Sequence, residues 1–166
     1  MNLFKWLFGS RRERPQVETE RLIRRVLKAF SLPTLETEPG LWSVVAERRD
    51  TYRVSLFLWA VDAKLHCMAA CEISIERELV PRELMLQLLE ENHRCEDGSF
   101  RLVTREDQRR IVLGRVIDTR WFPESELLHL GETLIERLQR MVTKLYGMGL
   151  IISGPEANEK NQNQPR

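Results

Sequence analysis

The residues able to do chemistry are few. His66, Cys67 and Cys71 sit in one short stretch, and His93 with Cys95 in another. Zinc wants four such ligands in a tetrahedron, but the chain has three cysteines and no CxxC. On a strand His66 points to the opposite side from Cys67 and Cys71, so these three cannot share a centre. The cysteines read instead as small core hydrophobes, and neither a metal nor a cofactor is expected. Catalysis needs an arranged nucleophile, base or phosphate cradle. The sequence has no Gly-rich phosphate loop, no HExxH and no GxSxG, and such absences point to a non-enzyme. The acidic pairs Glu90-Glu91 and Glu106-Asp107 fall at a helix end and a hairpin turn, where solvated surface is the expectation. Arg48, Arg49 and Arg53, with Arg109 and Arg110, could meet phosphate. Glu47, Asp50, Glu106 and Asp107 interrupt them, and no aromatic RNP-like pattern accompanies them. A regulatory protein contacting nucleic acid is therefore only a minor alternative.

Composition agrees. The 166 residues suit one domain of ordinary size,. Apolar residues make up 42%, and the 31% that are charged cancel to a formal +1. A protein devoted to neutralising phosphates carries a larger positive excess. No apolar run reaches the roughly 20 residues a membrane span needs, and no convincing secretory signal is present. The expected setting is a reducing cytoplasm.

Positioning elements follow from periodicity. Lys64 to Glu76 alternates Leu65, Cys67, Ala69, Cys71, Ile73 and Ile75 with Lys64, His66, Met68, Ala70, Glu72, Ser74 and Glu76, the mark of a half-buried strand. Before it, Val17 to Leu32 reads as a helix with a stripe of Leu22, Ile23, Val26, Leu27 and Phe30,, stopped by Pro33. After Pro39-Gly40, strands are expected at Leu41 to Arg49 and Thr51 to Val61, joined to the Lys64 strand by short turns. A second helix opens at Val80-Pro81 with a stripe of Leu84, Met85, Leu88 and Leu89,. Strands at Ser99 to Thr104 and Arg109 to Thr119 form another hairpin. Pro123 begins a long helix with Leu127, Leu128, Gly131, Leu134, Ile135, Leu138, Met141, Val142 and Leu145 on one stripe, ended by Gly147 and Gly149,. The order α-β-β-β-α-β-β-α predicts a two-layer α+β fold, a five-stranded antiparallel sheet with helices on one face.

Three units are expected: an amphipathic arm over 1–15, one α+β domain over 16–150, and a polar tail over 151–166 whose composition predicts disorder. In the arm, Leu3, Phe4, Trp6, Leu7 and Phe8 precede Arg11, Arg12 and Arg14. Such a segment fits a shallow anchor on an anionic membrane surface, or docking on its own domain or a partner. The more informative oddity is apolar residues on the face the helices leave free. Phe57, Trp59 and Met68 fall there, Trp121-Phe122 adds to them, and such a surface is one that another chain covers. Two readings follow. The first is a homodimeric, chaperone- or adaptor-like module binding a segment of a partner protein. The alternative is a peripheral scaffold held at the inner membrane by the arm.

The second half resembles the YbjN-type bacterial proteins, which share their fold with type III secretion chaperones. The resembling features are Leu88-Leu89 running into Asn92, Gly98-Ser99-Phe100 opening a strand, the Ile111-Val112-Leu113 strand, and Pro123 before the final helix. The resemblance spans roughly residues 17 to 148. It implies a non-enzymatic α+β domain that pairs with itself and binds protein segments on sheet or helix surfaces. Secretion chaperones of this fold tend to be acidic, whereas this chain is near neutral, which favours the YbjN-like side. The arm falls outside the family pattern.

Overall fold

Ten residues, Lys64–Ile73, form the strand β4 at the middle of the molecule. Its alternation is realised as read: Leu65, Cys67, Ala69, Cys71 and Ile73 are buried in the core, and Lys64, His66, Met68 and Glu72 face the other way. The computed structural model describes residues 14–29, 34–48, 52–75, 82–105 and 108–151. In chain order these form α1 (Arg14–Ala29), β1 (Thr34–Glu38), β2 (Leu41–Arg48), β3 (Tyr52–Val61) and β4. There follow α2 (Arg82–Arg94), β5 (Ser99–Arg105), β6 (Gln108–Asp118) and α3 (Glu124–Gly147). All neighbouring strands are antiparallel, in the order β1-β2-β3-β4-β6-β5. The α+β class and the antiparallel sheet are those expected. The sheet has six strands, however, not five.

The extra strand is β1, Thr-Leu-Glu-Thr-Glu. It is an edge strand whose residues are nearly all exposed, so no buried face imposes the alternation by which a strand is recognised. Glu is also a poor strand former. The helix α1 begins three residues before Val17, and of its stripe Ile23, Val26 and Leu27 are buried. Phe30 lies outside the described residues, as do the Val80-Pro81 opening, the Glu106-Asp107 turn and residues 152–166. Ile151, expected to start the polar tail, is buried in the core.

The three helices cover one face. Ile23, Val26 and Leu27 of α1, Leu84 and Leu88 of α2, and Leu127, Leu130, Leu134, Leu138 and Leu145 of α3 share one core with the inner sheet residues. For α2 the predicted stripe was too wide. Met85 is 42% and Leu89 61% exposed, with Leu86 exposed beside them. The helix lies at the margin of the layer, against β5, and a spacing of four suffices to hold it there,. At the end of α3, Gly149 takes φ 67. The N–H of Leu150 donates to Leu145 O (3.0 Å) and that of Gly149 to Tyr146 O (2.9 Å). This is a Schellman closure, and it turns Leu150 and Ile151 back onto the core,.

Candidate functional site: the open face of the sheet

The strand registers place the outward residues in rows across the sheet. Leu41, Trp59, His66 and Val116 form one row. The next holds Leu35, Ser43, Phe57, Met68, Gly114 and Ser99, and the third Val45, Ser55, Ala70, Val112 and Arg101. Side chains opposite one another in antiparallel strands touch, so these rows merge into a patch. Leu35 is 63% and Val116 52% exposed. The Trp59 and His66 rings stack at 4.9 Å between centroids, 18° from parallel.

A hollow of about 420 Å3 opens in this patch, lined by Trp59, His66, Met68, Val112, Gly114 and Val116 and also by the polar Glu96, Ser99, Arg101 and Arg115. Gly114 makes the room. A Cβ there would meet only ordinary contacts, 3.7 Å to Cys67 O and 4.0 Å to Met68 Cγ, so the glycine leaves a gap on the surface and relieves no clash beneath it. Charged groups frame the patch at both ends. Lys64 and Asp118 pair across β4 and β6 beside the β3–β4 turn, and Arg120 holds the Asp118 carboxyl well down, to about 2, by hydrogen bonds. At the far end Arg110 is ion-paired with Glu72. Burial first, and then the charge of Lys64, lowers the His66 pKa. Both effects favour the neutral imidazole beside Trp59.

The sequence-predicted surface residues divide. Phe57, Trp59 and Met68 are on this open face and half-buried, because cross-strand neighbours flank each of them. Trp121 stands 82% exposed on the turn after β6. Phe122 is not on this face: it packs against the helix-side core, with the Arg115 guanidinium 5.9 Å from its ring centroid. In the arm, Leu3, Phe4, Trp6, Leu7, Phe8, Arg11 and Arg12 lie outside the described residues, and Arg14 is the first residue of α1.

The groups that could do chemistry are dispersed. Cys67 and Cys71 are buried on the helix side, with thiols pushed up to about 12 by burial. His66 is on the opposite face, His93 is exposed on α2, and Arg137 Nη1 donates to Cys95 Sγ at 3.4 Å. Among the described residues no three His, Cys, Asp or Glu stand close enough to hold a metal. Glu91 of the acidic pair is taken by Lys144 at 3.0 Å.

One device at the sheet edge escaped sequence reasoning. The Asn92 side chain accepts from Phe100 N–H, and its amide donates to Phe100 O at 2.9 Å. It thus mimics a seventh strand for one residue of β5. An edge left with free N–H and C=O groups invites further strands. Gly98, just before, approaches β6 so closely that a Cβ would lie 2.9 Å from Gly114 O. The Asn92 and Gly98-Ser99-Phe100 pattern is this clamp. Val116 and Leu35 were missed as well, although period-two reading of Ile111 to Ile117 puts apolar residues on both faces.

Among the described residues no helix is long and apolar enough to cross a membrane. No protein-family model matches the chain, and no curated protein matches it. Solved structures do. YbjN from E. coli, described there as a candidate transcription regulator, matches with TM-score 0.61 at 12% identity, over 80% of this chain and 94% of that one. The fold is YbjN-like. A chain of the ExsC–ExsE complex shares it, at TM-score 0.52 and 14% identity over 74% of this chain and 89% of that one. A chain of the heterodimeric ExoU–SpcU complex, from the type III secretion system of Pseudomonas aeruginosa, gives TM-score 0.45 and 16% identity over 76% and 93%. The YbjN-like fold implied by the resemblance is thus present.

Proposed function

We propose that the chain is a non-catalytic, chaperone- or adaptor-like module that holds a segment of another protein on the open face of its sheet and pairs with itself. One observation carries this reading: the sheet face that none of the described helices covers exposes Leu35 and Val116, is hollowed at Gly114 and is framed by charged residues at both ends. An apolar centre inside a polar rim is the anatomy of a protein interface. That one YbjN-like neighbour was solved as a two-protein complex supports the same direction. For self-pairing the support is the exposed Met85, Leu86 and Leu89 on α2, which a second copy would bury while leaving the sheet face free.

The test has two arms. Light scattering at micromolar concentration should return twice the chain mass, and Leu89→Asp should halve it; a strictly monomeric wild type removes the self-pairing. Peptides selected from a displayed library against the wild type should lose binding to Val116→Glu. Full retention by that variant removes the sheet-face reading.

A further inference from the structure

We infer that the cleft between the end of α2 and the C-terminal half of α3 docks an acidic segment of a partner protein, whose carboxylates meet Arg94 and Arg140. This surface belongs to the helix layer, so the inference goes beyond the sheet-face reading and does not depend on it. The cleft has a volume of about 290 Å3. Phe100 and Met141, both buried, make its floor. Its walls bring the positive charges of Arg94, Arg137, Arg140 and Lys144 against the single carboxylate of Glu91.

The fold neutralises only part of that charge. Arg137 Nη2 pairs with Asp97 Oδ2 at 2.7 Å, and its Nη1 donates to Cys95 Sγ at 3.4 Å. Asp97 is itself shared, since Arg115 Nη1 reaches its other oxygen at 3.3 Å. Lys144 takes Glu91 at 3.0 Å. Arg94 and Arg140 are exposed and have no hydrogen bond or ion pair among the described residues. Both therefore present whole guanidinium forks to the cleft, and such forks grip carboxylates bidentately. The apolar floor suits an aliphatic side chain between two such carboxylates.

Helix stability does not ask for this arrangement. Arg137 and Arg140 are three residues apart, and Arg140 and Lys144 four, so like charges share one face of α3, which is destabilising. The macrodipole favours cations within a last turn. That accounts for Arg94 on α2 and Lys144 on α3, but Arg137 and Arg140 lie further back. Arg137 has Asp97 to hold, whereas Arg140 serves no contact of the fold. An anion in the cleft relieves the repulsion along α3. A short protein segment suits it better than a nucleic acid or an anionic membrane. Glu90, Glu132 and Glu136 are exposed on the same two helices, and they repel a polyanion that extends past the cleft.

The experiment uses the full chain and a short synthetic peptide in which Glu flanks Leu on both sides, with its Gln counterpart as control. Titration followed by NMR should show the acidic peptide binding, with an affinity that falls as salt is added. The same peptide should slow alkylation of Cys95 by iodoacetamide, since that thiol lines the cleft. Arg94→Gln/Arg140→Gln, at exposed positions, should keep the unfolding midpoint and bind the peptide several-fold more weakly, and Arg94→Lys/Arg140→Lys should recover part of the loss. With no peptide present, the Gln variant should also slow Cys95 alkylation by anionic iodoacetate relative to neutral iodoacetamide. Equal binding of the Gln peptide, undiminished binding by the Gln variant, or an unchanged iodoacetate rate overturns the inference. Binding of a short oligonucleotide or of anionic vesicles in place of the peptide overturns it in favour of a polyanion. Val116→Glu should bind the acidic peptide as the wild type does; a loss there puts the peptide on the sheet face and overturns the inference.

Discussion

The two sides of β4 are built from the same ten residues and serve different ends. Leu65, Cys67, Ala69, Cys71 and Ile73 lie under helices with almost no surface left, while His66 and Met68 stay half-open among Trp59, Phe57 and Val116. An antiparallel sheet with one wet face ordinarily makes that face polar. Here the wet face is polar at its ends and apolar between them. Burial explains the covered side, whereas on the open side Leu35 and Val116 stay more than half exposed. The proposed function puts binding on the open face and stability beneath the helices.

The contrast can be broken by mutation. Leu113→Ala, on the covered side of β6, should cost about 2–5 kcal/mol in denaturant unfolding. Val116→Ala, three residues on and across the sheet, should stay within about 1 kcal/mol. Equal costs would mean that both faces are core. Asn92→Ala comes next, at about 1–3 kcal/mol, because Phe100 N–H and C=O lose their partner,. It should also make the chain more prone to associate through the freed edge of β5, seen as larger species in sedimentation.

Acid sharpens the same contrast by a smaller amount. The folded pKa of His66 lies below the ordinary 6.5, so the unfolded chain binds this proton more readily. Its stability contribution is complete above 6.5 and is lost as pH falls from there towards the folded value. Unfolding curves at about pH 7 and pH 5.5 should differ less in His66→Gln than in the wild type. An unchanged difference would show that the ring is not desolvated by its neighbours. The smallest perturbation is a thiol reagent near pH 8. It should label Cys95 in the native protein and reach Cys67 and Cys71, whose thiols sit at about 12, only on unfolding. Three equal rates would mean that the helix layer does not seal the sheet.

Much of the covered face was legible because burial writes a period into the sequence. The stripe from Leu127 to Leu145 and the alternation of β3 and β4 are the instances. Where burial is weak the record fades. Thr34–Glu38 has no buried side, and its pairing with β2 follows from the turn at Pro39-Gly40 rather than from its own residues. Met85 and Leu89 read as core because their spacing is helical, yet nothing in that spacing tells which apolar side of α2 meets β5. Phe57, Trp59 and Met68 were legible as residues on the wrong face for the helices. The hollow was not, since it arises where Gly114 meets Met68 and Ser99 across three strands, a juxtaposition that register alone creates.

The central claim is that Val116 and its neighbours bind without supporting the fold. The direct measurement is Val116→Glu followed by two readouts on one preparation: unfolding free energy, and affinity for peptides selected on the wild type. The account predicts a stability change within about 1 kcal/mol and an affinity loss of at least about tenfold, some 1.4 kcal/mol. Unchanged affinity, or a loss that merely follows unfolding, would contradict it.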